Sequence, residues 1–291
     1  MTATTQAPEV VKAQQRAGWS EQAHEFAAKH DLIERHWGPL SSGLLELARI
    51  APGDRVLDLA CGVGDPALAA AERVGPTGTV IATDIAPGML VHAAERAAAA
   101  GLSHLHTHEM DAEAIDLPDA SVDAVVCRLG LMLLPDLDRA LAGVCRVLVP
   151  GGRFAAAIPW RPADQPMPRL IDAILDALGL PPMPPPAPGQ PGIFSLADAS
   201  YVCAAAERAG LAEIRIEPYA LALDHRSPDE WLDFLLALNV PLRRHLAGVP
   251  AERIQQVRGA ATAAAAPWVH DDGHVRFVTH GYYATATRPA R

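Results

Sequence analysis

Lysine is almost missing from this chain: Lys12 and Lys29 are the only two in 291 residues, and both precede the first strand-like segment. Basic charge is scarce in general, with 24 Lys and Arg against 34 Asp and Glu and a net charge of −10 at pH 7. A chain so acidic repels phosphate backbones and anionic lipid headgroups, so neither nucleic acid nor a membrane is an expected partner. Long apolar runs are also lacking. None approaches the roughly 18 uncharged residues of a spanning helix, and the N-terminal MTATTQAPEVVKAQQ lacks the apolar stretch of a secretory signal. The expected location is cytoplasmic. Cys61, Cys127, Cys145 and Cys203 are far apart and form no CxxC, which argues against a disulfide framework or a zinc knuckle. No internal repeat is present, and the Ala-rich stretches near 97 and 263 read as helix. What the chain has in quantity is apolar side chain, half of all residues, enough for one large core or two modest domains.

The apolar residues alternate between two patterns. VLDLA from Val56, TVIATDI, HLHTHEMD, DAVVCRLGLML and GRFAAAIPW read as strands, separated by a glycine turn and by helix patterns, the last running from about Leu137 to Val149 and stopped by Pro150-Gly151-Gly152. LAEIRIEPYALAL and VRFVTHGYYATATR add two more, for seven. Short strands alternating with helices predict an α/β fold with a doubly wound, mostly parallel sheet. The predicted organisation is a helical cap over 1–42, a core over 43–160, an insertion over 161–195 that contains PPMPPPAPGQPG, a core helix and strand over 196–223, a helical insertion over 224–273, and a final core strand and tail over 274–291. Open sheets of this kind bind ligands at the carboxyl ends of their strands, so the cap and the two insertions are candidate lids.

Asp58-Leu59-Ala60-Cys61-Gly62-Val63-Gly64 lies between the first strand and the first core helix, where glycine lets backbone approach a ligand. Gly62, Gly64 and Ala67 also satisfy the dinucleotide pattern GxGxxA, and Asp84 follows at the distance expected of a ribose-binding acid in either kind of site. Asp58 separates the two readings. A carboxylate across the loop repels a pyrophosphate and attracts an ammonium group. Asp111, just after the third strand, can accept a hydrogen bond from an adenine amino group, and no YxxxK is present to serve a dehydrogenase.

VLDLACGVGD, VIATDIAPGML, MDAEAIDLPDASVDAVVCRLGLMLLPD and RVLVPGGRF together resemble the successive motifs of the class I S-adenosylmethionine-dependent methyltransferases, in the ubiquinone/menaquinone-type small-molecule branch. The resemblance runs over about residues 43–160 and implies a Rossmann-like sheet with S-adenosylmethionine as cofactor. It implies that Asp58, Ala60, Gly62 and Gly64 surround the methionine end, that Asp84 holds the ribose hydroxyls, and that Ile85 and Met89 face the adenine. Asp111 and the Ala112 amide would read the adenine edge, and Arg128 and Leu129 would border the sulfonium. Val63 stands where many relatives carry Thr, and Met110 where they often carry Gly.

The acceptor side is less defined. Trp19, Ala23, Phe26, His30, Ile33 and Trp37 recur at helical spacing, with His30 the polar member of the stripe. His245 ends a similar stripe of Trp231, Leu235, Leu238 and Leu242. Either histidine is a candidate general base or a buried, backbone-bonded side chain. His104, His106 and His108 alternate along one strand, a spacing compatible with a metal, but methyl transfer from a sulfonium needs none and no metal is expected. Most of His24, His36, His225, His270, His274 and His280 are expected on the surface. Trp19, Trp37, Trp160, Phe194 and Trp231 fall near the strand carboxyl ends, which suits a flat or apolar small-molecule acceptor. The expected activity is methylation of such a metabolite in specialised metabolism, with O-methylation favoured over C or N. The rivals are an NAD(P)-dependent oxidoreductase and a non-catalytic S-adenosylmethionine-binding protein. Oligomeric state is left open, a homodimer being one option.

Overall fold

The computed structural model describes residues 7–160, 166–182 and 190–290. Seven strands form one sheet: β1 (Arg55–Leu59), β2 (Thr79–Asp84), β3 (Leu105–Glu109), β4 (Val122–Arg128), β5 (Leu148–Pro159), β6 (Ala212–His225) and β7 (Val275–Thr287). Their order is β3-β2-β1-β4-β5-β7-β6, with β7 antiparallel to both neighbours and the other pairings parallel. The order reverses between β1 and β4, which opens a crevice at their carboxyl ends. The α/β, doubly wound, mostly parallel sheet expected from the alternation, and the Rossmann-like form that the resemblance implies, are therefore present.

Both faces of the central strands are buried, so they read as continuous apolar runs while their side chains still alternate. Val56, Val126 and Ala155 pack on one face beneath Leu44 of α2 (His30–Leu47), the alanines of α3 (Ala67–Val74), and Leu90 and Ala97 of α4 (Pro87–Ala99). Leu57, Val125, Phe154 and Ala156 face α5 (Leu137–Val147) and α7 (Ala199–Arg208) on the other. The alanines of α3 have little bulk, so its backbone lies close to the sheet and brings the preceding loop down onto β1.

A third apolar cluster lies over the strand ends. It joins Ala23 and Phe26 of α1 (Pro8–Ala28), Ile33 of α2, Leu170 and Ile174 of α6 (Pro166–Leu178), Trp231 and Phe234 of α8 (Pro228–Leu238), Leu242 of α9 (Val240–Leu246) and Val257 of α10 (Ala251–Ala265). Val63 and Ala86, from the loops after β1 and β2, and Met89, in the first turn of α4, belong to the same cluster. None of the described helices is long and apolar enough to cross a membrane.

Four local readings change. The N-terminal stripe is split between two helices by Lys29 (φ −101°, ψ 11°), so Trp19, Ala23 and Phe26 ride on α1, and His30, Ile33 and Trp37 on α2. The fourth strand stops at Arg128: Leu129 takes φ 58°, and Leu131–Leu133 is a 3-10 turn. The helix before Pro150 ends at Val147, and Pro150-Gly151-Gly152 lies within β5, where the register with β4 shifts. His36 and His225 are buried at 3% and 0% exposure instead of lying on the surface. The centre of the proline-rich stretch, residues 183–189, is outside the described residues.

Candidate active site

The loop after β1 turns sharply because Ala60, Gly62 and Gly64 all take positive φ, at 56°, 56° and 107°. At φ 107° a side chain on residue 64 would be strained, so glycine is needed there on backbone grounds, and an added Cβ would also push the Leu68 side chain aside. The end of β2 pins the loop. Asp84 accepts hydrogen bonds from the Gly62 amide (2.9 Å) and the Ala86 amide (2.8 Å), one on each carboxylate oxygen, and Thr83 O accepts from the Cys61 amide at 2.9 Å. Each Asp84 oxygen keeps a second lone pair. Burial raises its pKa to about 6 against the pull of the backbone amides.

Asp58 lies directly behind the loop with no exposure, and neither of its oxygens makes a hydrogen bond of ordinary geometry. Burial pushes its pKa well above the usual carboxylate range, which the positive field of Arg128 and a weak contact from the Ala67 amide at the start of α3 only partly offset. Such an orphaned buried carboxylate is costly unless a positive or donor group completes it.

Asp111, two residues past β3, accepts from the Glu113 amide at 2.9 Å on one oxygen and from Lys12 Nζ at 2.9 Å on the other. Lys12 also meets Glu113 at 2.6 Å, and its pKa is raised because these two carboxylates outweigh its own desolvation. Here α1 crosses the ends of β2 and β3 and borders an open cleft of about 320 Å³, lined by Lys12, Arg16, Ile85, Met110 and Asp111 among others. Ile85 thus faces this cleft, whereas Met89 is buried in the third apolar cluster and Ala112 in the core on the α5 side.

A polar group lies where α2 meets the glycine loop. His30 Nε2 is 2.9 Å from Asp65 Oδ2, and Arg96 holds both oxygens of Asp65 at 2.7 and 3.1 Å. The Asp65 contact raises the His30 pKa. Burial of Asp65 opposes ionisation, but the hydrogen bonds from His30 and Arg96 outweigh it and bring its pKa to about 2. Arg128, at the end of β4, is buried with NH1 on Glu34 (2.5 Å) and Ser41 (2.8 Å), and its guanidinium lies 5.6 Å from the Trp37 ring centre. His30, Glu34 and Asp65 could converge on a cation, but Arg96 and Arg128 already balance the two carboxylates. His245 is exposed on α9 and takes no part in this group. At the sheet edge His104 Nε2 is 2.8 Å from Ala71 O, and His106 and His108 are exposed.

Residues 56–152 match the family model described as a methyltransferase domain. The chain belongs to the class I S-adenosylmethionine-dependent methyltransferases. It is 35% identical over 175 residues to a ubiquinone/menaquinone biosynthesis C-methyltransferase of Pseudomonas putida, an alignment covering 57% of this chain and 66% of that protein. It is 39% identical over 121 residues to the aklanonic acid methyltransferase of a Streptomyces species, covering 42% and 55%. The YcgJ protein of Bacillus subtilis shares the fold, with a TM-score of 0.56 at 20% identity over 86% of this chain and 97% of that one. The chain thus spans about two thirds or less of the length of the curated methyltransferases it matches.

Around this site, sequence reasoning overlooked Lys12, Glu34, Asp65, Arg96 and Glu113. A signal existed for Lys12: extended backwards, the stripe of Phe26, Ala23 and Trp19 reaches it at helical spacing. Asp65 and Arg96 carried no such signal, since an acid after a glycine loop and an arginine on an exposed helix are commonplace.

Proposed function

We propose that this protein methylates a small, largely apolar or aromatic metabolite with S-adenosylmethionine as donor, and that O-methylation is favoured over C- or N-methylation. The observation that carries the reading is the buried, unpartnered Asp58 carboxylate behind the glycine loop, flanked by Asp84 and Asp111 at the next two strand ends. S-adenosylmethionine offers a complementary set: an ammonium and a sulfonium, two ribose hydroxyls as donors, and an adenine amino group as donor. Asp58 and the loop from Ala60 to Gly64 would hold the methionine end, the spare lone pairs of Asp84 the ribose, and Asp111 with Ile85 the base. A dinucleotide fits less well. Its pyrophosphate needs a free cation or an uncrowded loop, and among the described residues Lys12, Arg96 and Arg128 are all engaged by carboxylates.

When bound, the cofactor supplies an electrophilic methyl group, which leaves the protein to position a nucleophile, exclude water and manage one proton. His30 is suited to the last of these. It opens α2 beside the glycine loop; Asp65 orients its ring through Nε2 and stabilises the imidazolium formed after proton capture, and Nδ1, 3.3 Å from the exposed Asp31 carboxylate, is the nitrogen left to take the proton. The lids share apolar packing with Val63 and Met89, which supports exclusion of water at the loop. The names of the two curated relatives support a small-molecule acceptor.

Incubating the protein and S-adenosylmethionine with phenols, enolisable polyketides, quinols and amines should give a product heavier by one CH2 unit, detected by mass spectrometry. His30→Ala should then lower kcat by about 10²- to 10⁴-fold with cofactor affinity unchanged. The parent rate should rise with pH through a midpoint above the ordinary histidine value of about 6.5, because Asp65 raises the His30 pKa. Asp65→Asn should bring that midpoint down. No methylated product from any oxygen or carbon acceptor, with amines turned over freely by His30→Ala, would remove the O-methylation reading and the proton-acceptor role together.

A further inference from the structure

Lys12 is the most heavily committed cation of the nucleoside cleft. It is 8% exposed, and its ammonium meets Asp111 at 2.9 Å, Glu113 at 2.6 Å and Glu9 at 3.5 Å, one carboxylate for each of its three N–H donors. Its two remote partners tie different parts of the site together. Asp111 lines the cleft and is fixed on its other oxygen by the Glu113 amide. Glu113 has a side chain only 1% exposed and accepts from the Asp136 amide at 2.7 Å, at the start of α5. One turn further along α1, Arg16 meets Glu109 at 2.5 Å across the end of β3.

We propose that Lys12 is a cofactor-positioning residue: it holds α1 across the nucleoside cleft and aims the Asp111 carboxylate at the edge of a 6-aminopurine. This rests on the methyltransferase reading. Three physical points support it. Asp111 on its own is a short side chain at a turn, and only the Lys12 and Glu113 contacts fix its rotamer. The ammonium also sits between Asp111 and the buried Glu113, at 2.9 and 2.6 Å, and offsets the repulsion between their carboxylates. Finally, the cleft is bounded on one side by the strand ends and on the other by Glu9, Lys12, Ala13 and Arg16 of α1, so the ion pairs hold in place the wall against which a nucleoside would lie. The ion pairs therefore fix both that wall and the Asp111 carboxylate, and the selectivity they confer is for an amino over an oxo substituent at purine C6.

The test is the dissociation rate of S-adenosylhomocysteine and of S-inosylhomocysteine, by stopped flow, from the full chain. Lys12→Met should speed S-adenosylhomocysteine release by about tenfold or more, since losing one partner of a buried charge pair acts on the off-rate. It should also narrow the preference over the inosyl analogue, raise KM for S-adenosylmethionine, and leave kcat at saturation within about twofold. Lys12→Arg should restore part of the slow release. Because Lys12→Met strands the buried Glu113, the double variant Lys12→Met/Glu113→Gln removes that charge as well and should release the ligand as fast as the single variant while folding normally. Slow release and full C6 selectivity in the double variant would overturn the proposal. Failure of the unaltered protein to bind S-adenosylhomocysteine would instead contradict the cofactor assignment on which it rests.

Discussion

Asp84 shows how one residue can serve loop and ligand together. Its two oxygens already hold the Gly62 and Ala86 amides, and ribose hydroxyls would take the lone pairs that remain. Ionisation decides how well it accepts. With a folded pKa of about 6, raised by burial, the carboxylate is incompletely charged in mild acid. S-adenosylhomocysteine should therefore bind more tightly as pH rises through about 6, measured by calorimetry. The protein's own stability moves the other way, because between about 4 and 6 the folded state binds the extra proton, so the Asp84 contribution falls as pH rises through that window. Asp84→Asn should weaken binding by about 1 to 3 kcal/mol and flatten its pH dependence. An undiminished pH dependence in that variant would mean another group controls the site. The acids at the strand ends were legible because glycine spacing and strand termination are local signals. Lys12 with Asp111, Arg128 with Glu34 and His30 with Asp65 were not, since these partners lie 99, 94 and 35 residues apart.

At the scale of elements, the cap and the later helices are joined by buried polar contacts. Gln22 of α1 donates to the Leu236 and Ala237 carbonyls near the end of α8, where helix geometry leaves carbonyls unpaired. His36 of α2 meets His225 at the end of β6, Nε2 to Nδ1 at 3.2 Å, among Trp231, Phe234 and Phe277. Burial lowers both pKa values, to about 4 and about 3, and His225 Nε2 has no partner. The unfolded chain takes up protons on these rings below about 6.5 while the folded one resists until about 4, so stability should fall as pH drops across that interval. Chemical unfolding at a series of pH values checks this. Replacing the pair together, His36→Leu with His225→Phe, removes the orphaned nitrogen and should leave the protein at least as stable near neutrality, with a shallower loss in acid. A loss in acid just as steep would assign it to other groups. The break at Lys29 was not legible, because the 3.6-residue rhythm runs unchanged from Trp19 to Trp37. The register shift in β5 was hidden by Pro150-Gly151-Gly152, which reads equally as a helix stop.

At the scale of the whole molecule, the strand count and the order of types were readable because both faces of the central strands are apolar and their helices intervene regularly. The third apolar cluster was not readable as one unit, since it collects α1, α2, α6, α8, α9 and α10 from three separate stretches of chain. On the proposed function, that cluster and the acids behind it would make the crevice at the β1 and β4 ends a cation-accepting, water-poor site instead of a phosphate cradle. Calorimetric titration of the purified protein with S-adenosylhomocysteine and, separately, NAD tests this most directly. The account predicts stoichiometric, saturable binding of S-adenosylhomocysteine and no heat from NAD. Binding of NAD with no response to S-adenosylhomocysteine would contradict it.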